Sequence, residues 1–282
     1  MAALNLEQQL LLCCQLGQPV RPLNRREYLL LDESLRLYPD IGLDWDTLSA
    51  LGYDRRFCIR VMELLDRRKA LIDYINREPM IQLTWPGHMD YPLRLERLGE
   101  AQPLVLFCKG DISILREASV ALVGARDIAP ENGQFARKIG RMVAEAGLHL
   151  VSGHARGADL LAQEACLEAG GKVIAFVPDR LTDYPDRENV LYVSEEGYDY
   201  FFTSQRALRR NTLIHALGSV CFVAQCAKTT GGTWSGTTEN LRMGYSRVYA
   251  WDDGSVGVKA LQRQGARLLR ECPVDLRELI WD

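Results

Sequence analysis

Two arginines stand in turns where chain reversal alone would call for glycine. Arg156 lies in "SGHARGAD" (152–159), between Ala155 and Gly157, and Arg126 lies in "VGARD" (123–127). A third stretch, "CAKTTGGTWSGTTEN" (226–240), again mixes small residues with hydrogen-bond donors. Small side chains let backbone N–H groups come close to a ligand, and a following helix N-terminus adds partial positive charge, so the combination suits phosphate. The two guanidinium groups would supply planar, charged forks to the same anion. The alternative for Arg156 is a pair with Asp159, or a cap on a nearby carbonyl, in a turn that is only structural. The first turn is not a dinucleotide fingerprint. In "GARDIAPENG" an arginine stands where a second glycine would admit a pyrophosphate, and no acidic residue ends the second strand to hold a ribose.

These turns need a scaffold that brings them to one edge. From residue 119 onward apolar runs alternate with amphipathic stretches: "SVALVGAR", "LHLVSG", "KVIAFVP", "SVCFVAQC" and "RVYAWDD" read as buried strands. "NGQFARKIGRMVAEAG", "DLLAQEACLEAGG", "SQRALRRNTLIHALG" and "GTTENLRMGY" read as helices. Strands without polar alternation, each followed by a helix, predict a Rossmann-like, doubly wound and mostly parallel α/β sheet covered on both faces. Ligands are then expected at the carboxyl ends of the strands. Residues 4–76 carry only helical spacing, with Asn24 and Asp46 as expected caps and Gly52 as a helix stop. "PMIQLTWPGHMDYPLRLERLGEAQPLVLFCKGD" adds a strand, a loop with a short helix and a second strand. The expected organisation is a small all-helical domain over 1–80 followed by the α/β domain over 81–282.

A net charge of −3 over 282 residues means that any nucleic-acid binding must come from a local basic patch. The eight cysteines lack paired metal spacing and read as reduced thiols, and the four histidines form no metal-ligand pattern, so neither metal nor cofactor is expected. The N-terminus has no basic leader region and no apolar run is long enough to span a bilayer, which together predict a cytoplasmic protein without membrane contact.

The blocks "VALVGARD", "LVSGHARGAD", "GGKVIAFVPD", "RRNTLIHALGSVCFV" and "GVKALQRQGARLL", with the lead-in "WPGHMDYPLRLERLGEAQPLVLFCKGD", resemble the DNA-processing protein A family (DprA, also called Smf) over roughly residues 81–276. The resemblance places that family's first motif on Gly124, Ala125 and Arg126, and its second on Ser152, Gly153, Arg156, Gly157 and Asp159. Its Arg-Asn pair falls on Arg210 and Asn211 and its Tyr-Pro element on Tyr184 and Pro185, whereas "TGGTWSGTTEN" (230–240), with Gly231, Gly232 and Thr233 as phosphate-binding candidates, replaces its later SGS-type turn. It implies binding of single-stranded DNA and its delivery to the RecA recombinase during DNA uptake, by a homodimer. The chain departs from the pattern at Ala125, Ala158 and Gln163-Glu164. It ends at Asp282, which implies a member without the winged-helix domain many carry.

Three functions follow. The first is a non-enzymatic single-strand binder and recombination mediator, using an arc of Arg126, Arg156, Arg206, Arg209, Arg210 and Lys228 with Tyr184, Phe201, Phe202 and Trp234 as stacking candidates. Core packing is the competing account of the phenylalanines. The second is a nucleotide pocket of Tyr184, Trp234 and Glu239, a sensor or a phosphoribohydrolase like the Lonely Guy proteins, whose GGxGTxxE motif "TGGTWSGTTEN" partly resembles. There Glu239, expected at a helix start, would engage a ribose or polarise water. The third is an interaction protein whose N-terminal helices dock a partner. Arg137, Lys138 and Arg141 read as a plain solvated helix face.

Overall fold

The structure is a computed structural model that describes residues 4–14, 20–38, 41–77, 79–195 and 202–281. Five helices come first: α1 (Leu6–Cys13), α2 (Arg25–Arg36), α3 (Trp45–Ala50), α4 (Arg55–Leu65) and α5 (Arg68–Arg77). Asn5 and Asn24 close capping boxes with Gln8 and Glu27, which satisfy the first free N–H groups of α1 and α2. The cap of α3 is Asp44, whose side chain accepts from the Thr47 N–H, rather than Asp46, which lies inside the first turn. Leu12, Leu31, Leu48, Val61 and Leu64 form the centre of a helical core and are fully excluded from solvent. Leu10, Leu11 and Cys14 of the α1 segment and Leu71 of α5 join the core of the sheet instead. Polar contacts tie the two parts: Gln9 Nε2 donates to the Leu104 carbonyl at 2.8 Å, and Arg25 donates to the Gln102 carbonyl and Oε1 at 2.9 and 2.8 Å.

The sheet begins with β1 (Ile81–Thr84) and β2 (Leu106–Lys109), then β3 (Ser119–Val123), α6 (Pro130–Glu145), β4 (His149–Ser152), α7 (Ala158–Glu168), β5 (Lys172–Phe176) and β6 (Val190–Ser194). It continues with α8 (Ser204–Leu217), β7 (Val220–Val223), α9 (Gly231–Met243), β8 (Arg247–Trp251), α10 (Val256–Arg263), β9 (Arg267–Leu269) and α11 (Leu276–Trp281). Its spatial order is β1-β2-β6-β5-β4-β3-β7-β8-β9. Strands β3 to β9 run parallel, and β2 adds antiparallel to β6 and to β1. The chain reverses its direction of travel across the sheet between β3 and β7, and a crevice opens there beyond the carboxyl ends of the strands.

The apolar runs bury every residue of β3, β4, β6 and β7, as parallel strands covered on both faces require. Strands β6 and β9 are absent from the sequence-based element list: β6 follows β5 with no α-helix between them, and β9 is only three residues long. Helix α9 starts at Gly231, several residues before the expected start, because two glycines that would weaken an isolated helix are paired here against α8. A Cβ on Gly232 would stand 2.7 Å from Asn211 Nδ2, and one on Gly236 3.1 Å from His215 Nε2. Among the described residues no helix is long and apolar enough to cross a membrane, and the eight cysteines are free thiols.

Helices α6 and α7 meet backbone to backbone, since a Cβ on Gly140 would fall 2.1 Å from the Ala162 carbonyl oxygen. Gly140→Ala must push these helices apart. We expect it to cost about 2 kcal/mol, the middle of the overpacking range, and to lower the midpoint of urea denaturation accordingly. An unchanged midpoint would show that the contact yields.

Candidate functional site

A cleft of 1170 Å³ lies at the switch point, bounded by the β3–α6 turn (Gly124 to Asp127), Ala155, the outer face of α8, the segment Gln225–Thr230, the start of α9 and residues Ser255–Gly257 at the start of α10. Three helices reach this edge without a side-chain N-cap: α6 at Ala129, α7 at Gly157 and α9 at Thr230. By contrast α8 and α10 are capped by Thr203 and Ser255. One free N–H at α6 is taken internally, from Ala129 to Gln225 Oε1 at 2.8 Å. Asn132, in the first turn of α6, ties it to the β7 side by donating to the Ala224 carbonyl and to Asp253 Oδ2, both at 2.8 Å.

The β4–α7 turn is shaped from within. Gly157, at φ +89°, has the Ala125 and Arg126 carbonyl oxygens 2.4 Å from where a Cβ would sit, so only glycine admits this approach of the two turns. The Ala158 N–H donates to the Ala125 carbonyl at 3.2 Å across the same contact. Gly153 makes room for Arg210, whose Nη1 would lie 1.8 Å from a Cβ there. Gly124 likewise packs against Ala158. These glycines thus serve turn-to-turn packing, and Gly124 also lines the cleft. Gly231, at φ +83° with open space around it, is the one that faces outward at the head of α9.

Asp159 is buried, and its Oδ2 accepts from the backbone N–H groups of Gly153 at 3.1 Å and Ala155 at 3.3 Å. The amides that could have cradled a phosphate in this turn already hold an internal carboxylate. Burial pushes the Asp159 pKa up to about 6 against the opposing pull of Arg210 and the two amides. Because that value lies above the unfolded one, stability from this group is full below about pH 4 and is lost as pH rises through about 6. Arg210 is also buried, and its guanidinium donates to the Phe176 carbonyl at 3.0 Å and to the Gly153 carbonyl. It pins α8 to the ends of β4 and β5. Burial lowers its pKa, and Asp159 opposes that shift.

Arg156 is exposed, and its partner is Asp127 of the neighbouring turn at 2.5 Å, not Asp159; both side chains are largely solvated, at 74% and 88%. Arg126 and Lys228 are exposed, line the cleft and have no carboxylate partner among the described residues. The expected arc is thus shorter. Arg209 turns to Glu195, with contacts of 2.7 and 2.8 Å, and Arg206 is not among the cleft-lining residues. Thr233 donates its hydroxyl to the Gly124 carbonyl at 2.8 Å, which fastens α9 to the β3 turn. Ser152 is buried and accepts from Gln163 Nε2 at 2.5 Å. Asn211 lines the cleft against Gly232.

Tyr184, Trp234 and Glu239 are not brought together. Trp234 and Phe202 line the cleft, and Phe201 lies outside the described residues. Glu239 sits well inside α9, not at its start, and accepts from Thr212 Oγ1 at 2.9 Å and Tyr245 OH at 3.4 Å. Tyr184 donates to Asp179 Oδ1 at 2.5 Å on the β5–β6 side of the edge. Sequence reasoning missed Asp127, although its place beside Arg126 was visible, and Gln163, which joins Ser152 to His154.

Arg210→Met removes the pin and strands the Asp159 carboxylate beneath the turn. We expect a loss of about 3–5 kcal/mol in chemical denaturation. Arg126→Ala, at a solvated position, should melt with the wild type. Equal melting of the two variants would refute the division between a structural and a ligand-facing arginine.

A family model described as DNA recombination-mediator protein A matches residues 82–278. Protein Smf of Borreliella burgdorferi is 25% identical over 249 residues, covering 81% of this chain and 76% of that protein. The DNA processing protein DprA of Streptococcus pneumoniae is 32% identical over 115 residues, or 41% of this chain and 40% of its own length. In three dimensions, an X-ray structure of the Streptococcus pneumoniae protein superposes with a TM-score of 0.71 at 24% identity, over 88% of this chain and 90% of that one. A structure of DNA processing protein A from Helicobacter pylori, concerned with its single-stranded DNA binding mode, gives 0.58 at 24% identity over 67% of this chain and 92% of the other. The family match runs from β1 into α11 and takes in all three turns of the cleft, and on that ground the chain belongs to the DNA recombination-mediator protein A family.

Proposed function

We propose that the switch-point cleft binds single-stranded DNA, as part of DNA processing or recombination mediation, and does not itself cut or modify the strand. The observation that carries this reading is the meeting of Arg126, Lys228 and the uncapped start of α9 around one cleft, with Arg156 on its rim. Cations and free N–H groups on one edge suit a run of phosphates. At 1170 Å³ the cleft exceeds the roughly 300–1,000 Å³ usual for small ligands, which favours a polymer over a mononucleotide. Trp234 and Phe202 give the same cleft aromatic surface for bases. Its carboxylates are Asp127, paired with Arg156, and Asp159, committed to backbone amides. With Glu239 outside the lining, the hydrolase reading loses the acid it relied on. The resemblance in motifs adds the RecA recombinase as the receiver of the strand.

The test is anisotropy of labelled oligo-dT at several salt concentrations, with duplex DNA and free nucleotides as competitors. Arg126→Ala and Lys228→Ala should each weaken binding by about tenfold, as lost charge-assisted hydrogen bonds do. Each should also flatten the log–log salt slope by about 0.7 per phosphate contact. Unchanged affinity and slope in both variants would refute the cleft as the DNA site.

Asp127 competes with phosphate for Arg156. Asp127→Asn should therefore tighten oligo-dT binding a few-fold, and the gain should vanish in the double variant with Arg156→Ala. If Asp127→Asn weakens binding instead, the pair is structural and Arg156 meets no phosphate.

A further inference from the structure

One residue before Ala155, on the far side of the same turn from the cleft, stands a group the phosphate site does not use. His154 is held at φ +53°, in the left-handed region, one of three such non-glycine positions among the described residues with Asn189 and Thr229. Its ring meets Tyr184 edge-on, with centroids 5.6 Å apart at 71°, and Tyr192 at 5.3 Å and 89°. The imidazole is oriented by a relay. Gln163 donates its Nε2 to Ser152 Oγ at 2.5 Å, which turns its carbonyl oxygen to His154 Nδ1 at 2.6 Å. The ring proton is thereby placed on Nδ1, and Nε2 is an acceptor with no partner among the described residues. Burial lowers the pKa of His154, so the lone pair on Nε2 is free near neutral pH. Tyr184 is in turn braced, its hydroxyl on Asp179 and its carbonyl accepting from Lys109 Nζ at 2.7 Å. His154 and Tyr184 are both half-buried.

We propose that this imidazole–tyrosine corner is a nucleobase subsite, taking a base by stacking and by a hydrogen bond from its ring N–H to His154 Nε2. It rests on the single-strand reading for its place along the strand: a chain with one phosphate at Arg156 reaches His154, two residues away, with the adjoining base. A neutral acceptor favours bases that carry a ring N–H on their pairing edge, thymine or guanine, over adenine and cytosine.

Two measurements separate this subsite from the phosphate cleft. The first compares oligo-dT and oligo-dC binding for wild type, His154→Gly and Tyr184→Leu. His154→Gly keeps the left-handed backbone at that position while removing the ring, and its melting is compared with wild type to account for the packing lost on Tyr184 and Tyr192. We expect wild type to prefer oligo-dT, and both variants to lose about tenfold on oligo-dT and to level the two ligands, with the salt slope unchanged because no phosphate contact is lost. The second titrates thymidine, which has no phosphate, into the protein and follows the His154 side-chain nitrogens by NMR, with shifts expected at Nε2. Oligo-dT binding that His154→Gly and Tyr184→Leu leave intact, with no thymidine shift, overturns the subsite and leaves the cleft reading standing. A thymidine response without oligo-dT binding supports the subsite and defeats the single-strand reading. Neither response defeats both.

Discussion

A buried guanidinium sets the terms for the ligand-facing edge. Taking Arg210 out of water is costly, and the cost is offset only because the Gly153 and Phe176 carbonyls and the Asp159 carboxylate surround it. Those three groups belong to the ends of β4 and β5 and the start of α7, so holding one guanidinium of α8, whose Nε has no partner among the described residues, fixes their mutual positions. Gly153 has to lack a Cβ for the guanidinium to pass, and Asp159 has to face inward, where it also collects two amides. The β4–α7 turn is then rigid, and Gly157 can seat it against the β3–α6 turn.

That internal solution decides where an outside anion can go. The β4–α7 turn has an acid of its own, whereas α9 begins at an uncapped threonine beside a glycine in open space, in a cleft shared with Arg126 and Lys228, which have no carboxylate partner among the described residues. Positive potential is thus concentrated on the β3 and β7 side of the crevice, in a protein whose net charge is −3. His154, on the same turn, lies outside the cleft lining and packs on Tyr184 and Tyr192 instead.

The parallel core was legible because buried strands leave a plain mark: "SVALV", "KVIAF" and "VCFV" have no polar face to spare. Strand β6, "VLYVS", went unread although it is wholly buried, and its pairing with β2 depends on contacts distant in sequence. Of the phosphate-site candidates, Arg126 and Arg156 reach the surface as their turns suggested, while Arg210, in an equally basic stretch, is internal. Nothing local separates them, since burial of Arg210 requires Gly153, more than fifty residues away. The start of α9 was misplaced for the converse reason. Glycines read as loop when seen alone, and only the facing Asn211 and His215 of α8 show that they are a packing surface.

The sheet ends in β1, four residues long, and β9, three residues long, which begins with Arg267 and is followed by Arg270. An open strand edge is a template for another strand, and brevity with charge is a natural guard against it. Copies of this protein crowded side by side would therefore find little backbone ladder to extend, and are left to meet through side chains, a contact that can be undone without tearing hydrogen-bonded sheet apart.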